Sequence, residues 1–305
     1  MRFILWQRLQ GADNRWLYPT DYRYDPTYIA PDGTLTNYRM NACVLTNTSR
    51  GHGWTFCLSA KATPVKDLQL SLSYTHTMLR QVNSMPGTNA TSLWSTLPTV
   101  NGPNLADVQS GANVCPHRII GTLSWHTGHH HLSLFYHGYR PGAYSYMYAN
   151  YLNGDSIVND LLYIPRDDSE IQFDTDADRQ AFWQYVELDD YLRSHKGSYA
   201  EAYAVHAPWV HKFDLHWSFE MGLRTGNVQH KLELLVDVDN ITNFFNSRWG
   251  VTQVLANPRI LTVKSVTNGV PTFTSTVAPG ASSFVYSSNS AQCWKVCLGL
   301  RYHFN

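Results

Sequence analysis

Charge is scarce in this sequence. Asp, Glu, Lys and Arg make up 15% of its 305 residues, where soluble domains carry about a quarter. The 23 basic and 23 acidic residues cancel, so no net field exists to hold a nucleic-acid backbone. No apolar run approaches the roughly 18 residues of a membrane-spanning helix, which excludes helical spans but not strands. Met1-Arg2-Phe3-Ile4-Leu5-Trp6 is apolar with one positive charge, but Gln7 and Arg8 end the run too early for a signal peptide. The expectation is a fragment, or a start codon inside a longer reading frame. The five cysteines show neither metal-ligand spacing nor a paired framework. Cys293 and Cys297 share one strand face too far apart to bridge, Cys43 and Cys57 fall on one long predicted strand, and nothing supports a bond to Cys115. There is no Gly-x-Ser-x-Gly elbow, no Walker loop and no His-Glu-x-x-His. The expectation is a non-catalytic chain without a cofactor.

What is present is aromatic and alternating. Aromatics reach 13%, with 19 Tyr and 10 Trp, as in the interfacial girdles of membrane proteins or a sugar-binding surface. In the last segment, Trp294, Val296, Leu298, Leu300, Tyr302 and Phe304 fall on one face of an extended strand. Lys295, Gly299, Arg301 and His303 fall on the other, because successive side chains of a strand point to opposite sides. The pattern recurs in Trp54 to Lys61, Leu68 to Thr75, Lys212 to Glu220 and Lys231 to Asp239, with Leu235 the exception. One apolar and one charged face suit a transmembrane β-barrel, apolar to lipid and polar to a wet lumen. They also suit a soluble antiparallel sheet with one solvated face.

Connection lengths separate the two. About eight strands are predicted, near 1–9, 38–63, 67–79, 117–127, 130–142, 209–223, 228–240 and 291–304. Three connections are tight, at Thr63-Pro64-Val65-Lys66, Thr127-Gly128-His129 and Arg224-Thr225-Gly226-Asn227. The others, 10–37, 80–116, 143–208 and 241–290, are long. Short turns on one side and long loops on the other are the sidedness of outer-membrane barrels, and soluble domains seldom carry several such loops. Within 143–208, Asp176 to Ser194 reads as a helix, with Asp174 or Asp176 as N-cap, Gly197 as stop and an apolar stripe of Phe182, Tyr185, Val186 and Leu192. Ile260 to Val277 reads as an exposed hairpin turning at Asn268-Gly269.

Few residues suggest a site. His126, His129, His130 and His131 sit at a tight turn, where side chains diverge instead of converging on a metal. Asn153, Asp155, Asn159 and Asp160 resemble part of a calcium loop about Gly154. Ala149 and Tyr151 would then hold ligand positions without a carboxylate, and Asp160 stands where a longer Glu is wanted. Asp237 and Asp239 share a strand face, roughly 7 Å apart, placed to pair with cations on neighbouring strands. Asp189 and Asp190 point apart on their helix.

Several segments resemble a known family. They are Leu45-Thr46-Asn47-Thr48-Ser49-Arg50-Gly51, Asn153-Gly154-Asp155 through Asn159-Asp160-Leu161-Leu162-Tyr163-Ile164-Pro165, and Pro208-Trp209 through Phe213-Asp214-Leu215. Asp237-Val238-Asp239-Asn240-Ile241-Thr242-Asn243 and Arg248-Trp249-Gly250-Val251 belong to the same set. Together they resemble the C-terminal barrel half of TonB-dependent outer-membrane receptors, nearest the Oar-like type with a carboxypeptidase-regulatory-like domain. The resemblance runs over nearly all of residues 1–305. It implies an all-β fold: an antiparallel transmembrane β-barrel segment of about eight strands from a larger barrel of about 22, with long extracellular loops and one short loop helix. The plug, TonB box and earlier strands would lie outside this chain, and TonB would act only through that missing N-terminal region. The implied location is the bacterial outer membrane of a Gram-negative cell, and the implied role is nutrient import. Phe304 resembles the terminal aromatic read by outer-membrane assembly machinery, here followed by Asn305. Expected partners are outer-membrane lipid and a small-molecule, glycan or peptide substrate. Tyr144, Tyr146, Tyr148, Trp183, Tyr185 and Trp249 are the aromatic candidates for substrate contact. The alternatives are a complete small eight-strand outer-membrane barrel and a soluble β-sandwich lectin or adhesin module.

Overall fold

A computed structural model describes residues 7–17, 46–84, 87–155 and 157–304. Seven long strands form one sheet: β1 (Gly51–Val65), β2 (Leu68–Gln81), β3 (His117–Thr127), β4 (His130–Tyr139), β5 (Val210–Thr225), β6 (Val228–Asp239) and β7 (Lys295–Phe304). Each pairs antiparallel with its neighbour in sequence. A two-residue strand, Gln109–Ser110, adds an eighth member at the far end of β2. The described strands form an open sheet, without closure of β7 onto β1.

The tight turns are Lys66-Asp67, Gly128-His129 and Gly226-Asn227. Each contains one residue with positive φ: Asp67 at 65°, Gly128 at 54° and Gly226 at 62°. Glycine takes that backbone without a Cβ penalty, and Asp tolerates it through local hydrogen bonds. All three turns lie at one end: the His126 amide donates to the Asp67 carbonyl, and the Glu220 amide to the His129 carbonyl. Pro64 sits beside the bulge between Ala62 and Val65 on the edge strand β1, where a missing N–H costs no ladder bond.

Register fixes the faces. Ala62, Leu70, Leu123, Leu134, Leu215, Val238 and Val296 form one rung, one residue per strand. Val65, Leu68, Trp125, Leu132, Trp217, Val236 and Leu298 form the next on the same side. Between them, on the opposite side, run Gln69, Ser124, Ser133, His216, Asp237 and Cys297. The expected set Leu68, Leu70, Leu72, Leu215, Trp217, Leu232, Leu234, Leu298 and Leu300 thus shares one face. Lys212, Glu220, Lys231, Glu233, Lys295 and Arg301 share the other. No second large sheet covers the apolar face among the described residues. Leu72 is 55% exposed, Leu298 72% and Leu300 70%.

The hydrophobic core lies elsewhere. It is built from the long connections, which gather at the end opposite the tight turns. Tyr146, Leu162, Ile164, Phe182, Val186 and Ile260 have no solvent exposure there. Among the hydrophobic residues of β1 to β7, Val210 alone is buried. Four helices belong to this loop assembly: α1 (Ala90–Thr96), α2 (Asp176–Leu188), α3 (Asp190–Ser194) and α4 (Ile241–Phe245).

Four sequence expectations need correction. Of the strand expected near 1–9, the described residues 7–9 do not join the sheet. Gln7–Arg8 pairs with Trp16–Leu17, Leu9 is buried in the loop core, and the Gln10 amide donates to Gly269 at 2.8 Å; residues 1–6 lie outside the description. The strand near 38–63 begins at Gly51, with 38–45 and Cys43 also outside it. The single helix 176–194 is two. Its N-cap is Thr175, and it breaks at Asp189, whose carboxylate caps α3 through Leu192 N at 2.8 Å and accepts the Tyr146 hydroxyl at 2.7 Å; α3 closes at His195, before Gly197. The hairpin Leu261–Thr267/Val270–Ser275 turns at Asn268-Gly269 as expected, both with positive φ. It is not exposed at its base, because Leu261, Val263 and Phe273 enter the core.

Candidate functional site

The loop assembly is tied together by a buried arginine. Arg15 has no side-chain exposure. Its Nε donates to both Asp13 oxygens at 2.9 and 3.2 Å, and its Nη2 to the Leu161 carbonyl at 2.7 Å. Nη1 lies 3.4 Å from the Asp160 carboxylate. The guanidinium stacks over the Tyr148 and Tyr199 rings at 5.0 and 5.4 Å, and both phenols donate to Asp13, at 3.1 and 3.0 Å. Burial opposes the Arg15 charge, yet Asp13, Tyr148 and Asp160 outweigh it and hold the guanidinium ionised. Asp160 is pushed up to about 6 by burial, against the pull of Arg15 and of the Leu152 and Asn153 amides. A buried pair of this kind does little for net stability when intact but is expensive to break.

The four calcium candidates belong to the same fabric. Asp160 Oδ2 accepts Leu152 N at 2.7 Å and Asn153 N at 3.2 Å. Asn153 Oδ1 accepts Asp155 N at 2.9 Å, and Asp155 Oδ1 accepts Ile157 N at 2.7 Å, an Asx-type turn. Asn159 donates to the Leu97 carbonyl at 2.8 Å. The oxygens of Asn153, Asp155 and Asp160 serve backbone amides, the Asn153 side-chain amide and Arg15, while the buried Asn159 Oδ1 has no hydrogen-bond partner. Among the described residues no cluster of three or more His, Cys, Asp or Glu side chains is arranged to hold a metal ion.

The histidines of the turn split into two groups: His126 and His131 lie together, ring centroids 6.0 Å apart, while His129 and His130 turn to Phe219. His131 bonds Ser124 at 2.9 Å on the polar face, while His130 stacks on Trp217 and Phe219 on the apolar one. Across the polar face, charges pair between strands. Asp237 meets His216 at 2.6 Å, Glu220 meets Lys231 at 2.7 Å and Glu233 meets Arg301 at 3.0 Å. Asp239 stands opposite Lys295 in the ladder.

Of the six aromatics expected at a substrate surface, three are buried. Tyr146, Tyr148 and Tyr185 are 0, 2 and 1% exposed, because connections this long build a core of their own and use these rings to fill it. Burial drives all three phenols upward in pKa. Tyr144 is half-buried against Phe284. Trp183 is partly exposed, donates to Asp168 and carries Lys196 over its ring at 5.3 Å. Trp249 is 54% exposed.

Trp249 lines a notch of about 370 Å3 where the apolar face meets the loop assembly, with Trp209, His211, Arg248 and Tyr286. Three of the motif segments build it, those beginning at Pro208, Asp237 and Arg248. Asn240, at the end of β6, and Asn243 of α4 both donate to the Trp249 carbonyl, at 3.3 and 3.0 Å. Gly250 has φ +68°, and a Cβ there would come 2.1 Å from Asn240 Oδ1, so no larger residue fits. Sequence reasoning passed over Trp209, Arg248 and Tyr286; the Pro208-Trp209 step at the mouth of β5 was the available signal. A larger cleft, about 670 Å3, opens within the loop assembly between Arg140, Asp190, Tyr191, His206, Ser282 and Phe284. His206 is held low by burial although Gly142 O accepts its Nδ1–H at 2.8 Å. The cleft offers a cation, an anion, hydroxyls and ring faces, a mixture that suits a polar organic ligand.

Comparison with known proteins gave no matching family model, no matching curated protein and no matching solved structure.

Proposed function

We propose that this chain is part of the wall and the outer loops of a TonB-dependent outer-membrane receptor that imports a nutrient. One observation carries the membrane part of that reading: apolar rungs cross all seven strands without cover, while the hydrophobic core sits in the loops. A soluble sheet of this size buries its apolar face. A barrel wall turns it to lipid, and strands of 10 to 16 residues match or exceed the 9 to 11 that cross a bilayer at a tilt. The ion-paired face then lines a wet lumen, and the loop assembly stands outside the cell. The receptor assignment rests on the resembling segments. Strands beyond both edges complete the wall, TonB engages a region outside this chain, and assembly machinery reads Phe304. Substrate meets the loop assembly first, with the 670 Å3 cleft as its entry point.

The test is membrane insertion followed by uptake. The chain, joined to its genomic upstream strands and plug, should resist carbonate extraction and migrate heat-modifiably on a gel. Deleting the TonB-contacting region should abolish growth on the limiting nutrient without changing insertion. Extraction of the intact protein into the soluble fraction would refute the membrane reading. Insertion with TonB-independent uptake would refute the receptor reading alone.

A further inference from the structure

The apolar face carries a groove. Ala60, Ala62 and Gly121 lie among Leu70, Leu72 and Leu123, and the missing side-chain volume leaves a shallow, almost wholly apolar depression of about 420 Å3. Nothing in the backbone demands glycine at 121. Its φ is not left-handed, and a Cβ there would make ordinary contacts, the nearest 3.5 Å away on Tyr136. What the small residue does is leave space.

The groove ends at Phe213, and Phe213 also lines the aromatic notch of Trp209, Arg248, Trp249 and Tyr286. The notch has the opposite chemistry. Arg248 is exposed, rests over the Tyr286 ring at 5.7 Å and has no carboxylate partner among the described residues. No acidic residue lines the notch. Neither the Trp209 nor the Trp249 indole N–H has an acceptor among the described residues. An unpaired cation and two free donors beside an apolar trough form an amphipathic pair of subsites.

We infer that groove and notch form one seat for an anionic membrane phospholipid, with an acyl chain in the groove and the phosphate headgroup at Arg248. The seat rests on the reading of this face as lipid-facing. A sugar would stack in the notch but gain nothing from the groove. An acyl chain alone would leave Arg248 unpaired.

Tryptophan quenching tests this. The full chain is extracted from membranes in mild detergent and placed in vesicles containing a small fraction of lipid with brominated acyl chains. The brominated lipid is phosphatidylglycerol in one set and phosphatidylcholine in the other. The seat predicts several-fold stronger quenching by phosphatidylglycerol at low mole fraction. Arg248→Ala should abolish that preference and Ala60→Phe should reduce it, while quenching at saturating bromolipid stays unchanged in both variants. Equal quenching by the two lipids, or a preference that survives Arg248→Ala, overturns the seat. A preference erased by inorganic phosphate also overturns it, in favour of a free-anion site. Quenching by neither lipid, even at saturation, would instead overturn the lipid-facing reading beneath it.

Discussion

Arg15 and Asp160 meet at 3.4 Å with neither side chain exposed to solvent. Through this pair the segment 7–17 is locked onto the connection between β4 and β5. Arg15→Ala should leave Asp13 and Asp160 buried without their cation, at a cost of about 3–5 kcal/mol. Limited proteolysis should then cut near Trp16 while β1 to β7 remain protected. Unchanged protection of residues 7–17 would show that the lock is dispensable.

The same pair makes the loop assembly sensitive to pH. Asp160 titrates near 6 when folded, raised by burial from its ordinary 3.8. A raised folded pKa means that the folded state holds the proton more tightly than the unfolded one. The contribution is therefore fully present below about pH 4 and is lost as pH rises through 6, on the order of 3 kcal/mol in all. Glu170 and Asp178, held low by their hydrogen bonds, act in the opposite direction. The measurement is thus the difference between wild type and Asp160→Asn in denaturant midpoint from pH 4 to 7. The wild type should lose more stability over that range than the variant, and parallel curves would contradict the assignment.

Facing can be tested by placing charge on either side of the sheet. Leu215→Arg lies on a central apolar rung and should cost about 2–4 kcal/mol if lipid covers it. Ser133→Arg on the polar face should be tolerated. Membrane-inserted yield reads both, and equal yields would remove the distinction between the faces.

Asp189→Ala removes the α3 cap and the acceptor of the buried Tyr146 hydroxyl together. The expected loss is about 2–4 kcal/mol, from the cap and the orphaned phenol. Asp189→Asn should recover the cap but not the phenol's acceptor, because Leu192 N and the Tyr146 hydroxyl use different oxygens of Asp189 and the amide supplies only one. A calorimetric scan of the three proteins decides.

Residues 1–305 produced without partner strands should collect in inclusion bodies, since both sheet edges and the apolar face are open. A soluble monomer with a cooperative melt in plain buffer would favour the sandwich module.

The sheet was readable because its signals are local. Period-two alternation placed Leu215, Trp217 and Leu298 on one side, and short turn sequences placed the hairpins. The loop assembly was not readable, because its contacts are long-range. Nothing near Arg15 announces Asp160 or Tyr199 as its partners. Tyr144, Tyr146 and Tyr148 alternate as a surface ribbon would, yet the last two fill a core that forms only when three connections meet. The break at Asp189 has the same origin, in a tyrosine from another connection that takes its carboxylate. The notch was half legible: Trp249 stood out, but Arg248 and Trp209 gain meaning only where the loop assembly meets the sheet.

Strand parity carries a final consequence. Gly51 starts β1 opposite the end of β2, and Lys295 starts β7 opposite the end of β6, so the two edges of the seven-strand sheet run in the same direction. Joined directly they would make a parallel seam. Two copies joined head to tail with their loops on one side would make two such seams. Antiparallel closure therefore takes an odd number of further strands. Under the proposed function, a wall of about 22 strands would leave about 15 for the rest of the barrel, which would satisfy that count.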